Sequence, residues 1–72
     1  MLNKDQKVDI LNSRINVIES YIYNVEISIL EEESKDQPIQ IVIDELNIQK
    51  SDHNLALLAV KSRLEAVLLE EA

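Results

Sequence analysis

Apolar residues stand at Val8, Leu11, Ile15, Ile18, Ile22, Val25 and Ile29, with steps that alternate between three and four. A helix of 3.6 residues per turn brings such positions onto one side. A repeat this regular is the seam of a coiled coil. No polar residue interrupts it between Val8 and Ile29. Asn3, followed three residues later by Gln6, has the spacing of a capping box, with an amide in each role. The pattern predicts a helix from about residue 4 to about residue 33, about 45 Å long at about 1.5 Å per residue.

A second seam follows the stretch "ESKDQPI". It runs through Ile39, Ile43, Leu46, Lys50, His53, Leu57, Val60, Leu64 and Val67. Pro38 suits the first turn of a helix, and Asp36 or Gln37 offers a cap. The phase survives the polar pair Lys50 and His53, so no break is expected there. The second helix is predicted from about residue 38 to about residue 70, after a turn over about 34–37. A connection this short makes the two helices antiparallel neighbours. The predicted fold is all-α: a single antiparallel coiled-coil hairpin over residues 1–72. A competing pattern exists. Val25, Ile27 and Ile29, and again Ile39, Ile41 and Ile43, alternate with polar residues, which is a strand signature. A short β-hairpin within residues 25–43 is therefore an alternative. The unbroken heptad through residues 22–29 favours helix, because a strand has no reason to keep that phase.

Folding the chain at about Lys35 and Asp36 sets apolar residues opposite one another along most of the seam. Ile18 is expected opposite His53, and Ile22 opposite Lys50. A polar residue at a core position of a coiled coil can fix register and helix number at a cost in stability. Lys50 can bury its stem and carry its ammonium to the edge. His53 can hydrogen-bond toward Glu19 or Tyr21. Contact with a partner and sensitivity to pH are the other roles open to this pair.

Nearly half the chain, 46%, is hydrophobic. A bundle-facing helix needs about three apolar positions in seven. The surplus includes Tyr21, Tyr23, Ile27 and Leu30 on the first helix and Ile41, Ile48 and Leu55 on the second. These residues form the candidate interface. A hairpin of this size buries little by itself. Association into a four-helix or larger bundle is expected, with a homodimer as the first expectation. A different protein partner is the alternative, with the two tyrosines as anchors.

Charge and composition exclude more than they suggest. The formal charge is −7, and the seven basic residues are scattered. Nucleic acid is not an expected partner, since phosphate binding needs massed Lys and Arg. Acidic clusters at Glu31–Glu33 and at Glu70 and Glu71 sit where the helix dipole disfavours them, so fraying is expected at both ends. There is no Gly and no Cys. Glycine-rich phosphate loops, disulfides and thiolate sites are thereby ruled out. One His without a second His nearby, and with Glu45 and Asp52 on a different face, makes a poor metal site. No serine has a base in a recognisable arrangement. The chain is read as non-enzymatic, with no cofactor. No apolar run is long enough to span a membrane, and a cytoplasmic location is expected.

The stretch "IESYIYNVEISILEEESKDQP", preceded by "LNKDQKVDILNSRI", resembles small acidic helical-hairpin proteins of unknown function encoded by tailed bacteriophages. The likeness spans about the first forty residues and rests on pattern, with no catalytic motif. It implies a phage accessory protein in the bacterial cytoplasm or on the virion. Two functional classes remain. One is a self-associating assembly part. The other is a small acidic module that modulates a host or partner protein through an apolar patch at the turn end.

Overall fold

The computed structural model describes residues 1–70. Two helices, α1 over Lys4–Glu33 and α2 over Gln40–Leu68, pack side by side as a hairpin. Its extents are 57 × 16 × 14 Å. Residues 25–33 and 40–43 are helical, and no strand occurs among the described residues. The heptad phase therefore prevails over the local alternation of β-branched residues.

α1 begins where its cap dictates. Asn3 holds an extended backbone, and its Oδ1 accepts from the Gln6 amide at 2.8 Å. The Asn3 amide in turn donates to Gln6 Oε1 at 3.0 Å. Two donors that the first turn leaves without helical partners are thus satisfied reciprocally.

α2 begins differently from the sequence expectation. Pro38 lies outside the helix, and Ile39 is the N-cap with an extended backbone and no side-chain cap bond. The Ile39 carbonyl accepts from the amides of Val42 and Ile43 at 3.1 and 3.3 Å. Gln40 Nε2 donates to Asp44 Oδ1 at 2.9 Å and closes the first turn from its side chains. The connection therefore runs over residues 34–39. A residue before proline is pushed toward extended backbone. Extended backbone at Ile39 helps the chain cross the roughly 8–10 Å between packed helix axes. Ile39, expected in the seam, is 52% exposed. Val42 and Ile43, both half-buried, begin the α2 side of the core instead.

The core is a single seam. Ile15, Ile18, Val25 and Val67 are buried. Val8, Leu11, Ile22 and Ile29 of α1 and Ile43, Leu46, Leu57, Val60 and Leu64 of α2 are half-buried. No large side chain among the described residues is fully enclosed. This follows from geometry: two cylinders touch along one line, and each seam residue keeps an edge in water. Most helical stability in proteins comes from packing of an apolar face, so this line of contact carries the tertiary stability.

Candidate functional site

The polar interruption of the α2 seam is built from both helices. Lys50 is half-buried, and its Nζ lies 3.4 Å from Glu26 Oε1 on α1. The stem of Lys50 covers apolar surface while the ammonium reaches the edge. His53 is also half-buried and stacks on Tyr21 of α1, with ring centroids 5.5 Å apart and planes at 28°. Offset stacking at this distance is a favourable aromatic arrangement. Both partners lie further along α1 than Ile22 and Ile18, the residues expected opposite. The longer connection before α2 fits such a displacement. His53 therefore meets Tyr21 through ring faces, where a hydrogen bond was the expectation.

A second polar residue sits in the core, and sequence reasoning missed it. Glu32 is buried at the turn end of α1. Its Oε2 lies 2.8 Å from Lys35 Nζ, whose side chain is largely exposed. The angle of approach falls outside hydrogen-bond geometry, leaving Oε2 without a directed donor. The signal was available: stepping three residues on from Ile29 lands on Glu32. The acidic run Glu31–Glu33 reads as a solvated cap, which hides the one member that the seam buries.

The far end of the hairpin is a clasp. Lys4 Nζ donates to the Glu70 carbonyl at 3.1 Å, and Lys7 Nζ pairs with Glu70 Oε2 at 3.3 Å. Neither helix has a basic residue in its last turn. Because the helices are antiparallel, two lysines at the start of α1 supply the positive charge that the C-terminal end of α2 lacks. At the other end, Lys35 does the same for α1. The acidic helix ends expected to oppose their dipoles are thus met by cations from nearby chain. The expectation for Glu71 lies outside the described residues.

No family model, curated protein or solved structure matches the chain. The arrangement of its own residues is what bears on function. Among the described residues, no three His, Cys, Asp or Glu side chains gather closely enough to hold a metal ion. The concavities are open grooves. One lies along α1 at Asp9, Ile10, Ser13, Arg14 and Val17, and another between the helices at Glu19, Ile22, Tyr23, Glu26, Asn54 and Leu57. No described helix is long and apolar enough to cross a membrane.

The residues expected to form an interface are all exposed: Tyr21, Tyr23, Ile27 and Leu30 on α1, and Ile41, Ile48 and Leu55 on α2. They do not form one patch. Ile27 lies two residues from both Val25 and Ile29, about half a turn around the helix from the seam. Ile41 stands in the same relation to Ile43. Ile27 and Ile41 therefore look outward from opposite sides of the hairpin. Tyr21 leans inward onto His53. Tyr23, with Glu19, borders the groove opposite Asn54 and Leu57.

Proposed function

We propose that this chain is a non-enzymatic assembly protein, a hairpin that associates with further copies of itself. The observation that supports it is the imbalance between core and surface. Among the described residues, only Ile15, Ile18, Val25 and Val67 are buried and apolar, while Tyr23, Leu30, Ile41, Ile48, Leu55 and Leu58 are each more than 60% exposed. Single exposed apolar residues are ordinary, but rows of them on both helices mark contact surface. The heptad spacing of the seam supports the same reading, since such a seam extends naturally into a bundle of three or four helices.

A second reading is favoured by one observation. Tyr23 and Leu30 stand exposed within about three turns of the acidic end of α1. Such a group suits a small acidic module that docks on a different protein and modulates it. The resemblance to phage-encoded hairpins extends either reading to an accessory protein of the infected bacterial cytoplasm or the virion.

Light scattering over a hundredfold range of concentration tests the first reading. A persistent mass of two or more times 8.3 kDa is expected. A folded monomer throughout that range overturns self-association and leaves the modulator reading.

A further inference from the structure

We infer that the outward face of α2 is the self-association surface, and that its occupant is the same face of a second copy, packed antiparallel about Leu55. This rests on the self-association reading and specifies its surface and geometry.

Three observations carry it. The first is area. A compact monomer of 8.3 kDa should expose about 4,600 Å². The hairpin exposes 5629 Å². The excess, about 1,000 Å², is comparable with the roughly 800 Å² that each partner contributes to a stable interface. One further copy is thus the right size of cover.

The second is where the apolar residues lie. Ile41, Ile48, Leu55, Ser62 and Leu69 repeat every seven residues. They run along the side of α2 opposite its seam, flanked by Leu58, Ala59 and Ala66. Ile41, Ile48, Leu55 and Leu58 are 62–66% exposed. The equivalent line on α1 reads Gln6, Ser13, Ser20 and Ile27, and is apolar only near the turn. α2 is apolar on two opposite sides, as a helix is when it sits between two neighbours. α1 is an outer helix.

The third is charge, which sets direction. The first half of this face carries Asp44, Glu45 and Asp52, and the second half is bordered by Lys61 and Arg63. A parallel pair sets the three acids against themselves. An antiparallel pair centred on Leu55 brings Ile41 level with Leu69 of the second copy. It also brings Glu45 within about a turn of Arg63 of that copy, along the same edge of the interface. Like charges facing one another discourage a partner, and opposite charges fix register. Glu65, in the second half of the face, comes within one residue of the level of Asp44 of the other copy and opposes this direction, whereas the parallel pair sets Asp44, Glu45 and Asp52 together.

Leu55→Glu and Tyr23→Glu test the surface by light scattering, with circular dichroism to confirm helicity. Both positions are exposed, so the hairpin should fold in each variant. Leu55→Glu should weaken association by at least roughly thirtyfold, the loss of a central anchor. Tyr23→Glu, on α1, should leave the mass unchanged. A wild-type monomer overturns the self-association reading itself. An oligomer that survives Leu55→Glu, or that dissociates in Tyr23→Glu, overturns this surface while leaving self-association intact. Direction is read from oxidation of cysteine variants, since the chain has no native Cys. Ile41→Cys mixed with Leu69→Cys should give the mixed cross-linked dimer. Preferential cross-linking of Ile41→Cys to itself overturns the antiparallel arrangement.

Discussion

Replacing Lys50 and His53 together by leucine should make the hairpin more stable and less particular about its association. The magnitude follows from what each side chain does. Lys50 and Glu26 form an ion pair whose side chains keep 37% and 41% of their surface in water. An exposed pair of this kind contributes under about 1 kcal/mol. The stack of His53 on Tyr21 contributes about 0.5–1.5 kcal/mol. The double variant loses about 1–2 kcal/mol from these two contacts. Leucine at two half-buried seam positions returns about 1–2 kcal/mol each from removal of apolar surface from water. The balance favours the variant by about 1–2 kcal/mol. For a domain of this size that corresponds to a rise in Tm of about 5–10 °C. Thermal melting followed by circular dichroism measures it, and light scattering on the same samples measures the spread of masses. The spread should widen, because nothing polar then penalises a slipped register or an added helix. A Tm at or below that of the wild type, with a single unchanged species, would refute the reasoning on both counts.

Asn3→Ala removes one half of the capping box and should lower stability by about 1 kcal/mol, read as a lower urea midpoint with unchanged slope. Lys35→Ala leaves the buried Glu32 carboxylate without its cation and should destabilise the fold, by an amount moderated by the exposure of Lys35. Glu32→Leu in that background should recover the loss and more, because it completes the seam. A double variant no more stable than Lys35→Ala would show that Glu32 does not sit against apolar neighbours in solution. Raising salt from about 0.05 M to 0.5 M should strengthen self-association, since screening reduces repulsion between copies that each carry −7. A dissociation constant that weakens with salt would show instead that the cross-copy ion pairs outweigh net charge.

The legible parts of this fold were those with redundant signals. α1 is specified by seven seam positions in phase and by a cap whose two residues both read as helix start. α2 lacks the second kind of signal. The general preference of proline for a first turn points to a start at Pro38. The chain instead turns through residues 34–37 and is extended at Ile39, and nothing in the local residues announces that choice. The seam at Lys50 and His53 was visible because a heptad makes its interruptions conspicuous. Their partners were not, because Glu26 and Tyr21 depend on a register set by the length of the connection. Glu32 was hidden by its neighbours: in a run of three glutamates, only the phase distinguishes the buried one. The candidate interface was recognised as surplus apolar residues. Its division between two edges appears only when each residue is placed by angle around its own helix.

The clasp between Lys7 and Glu70 has a kinetic consequence. Its partners are 63 residues apart in the chain, whereas the connection over residues 34–39 closes a loop of six. Closing the longer loop first would cost about 2 kcal/mol more in chain entropy. The hairpin should therefore zip from the turn toward the clasp and unzip in the reverse order. Amide hydrogens near Lys7 and Glu70 should exchange with solvent earliest, and those flanking the turn, beside Ile29 and Ile43, among the latest.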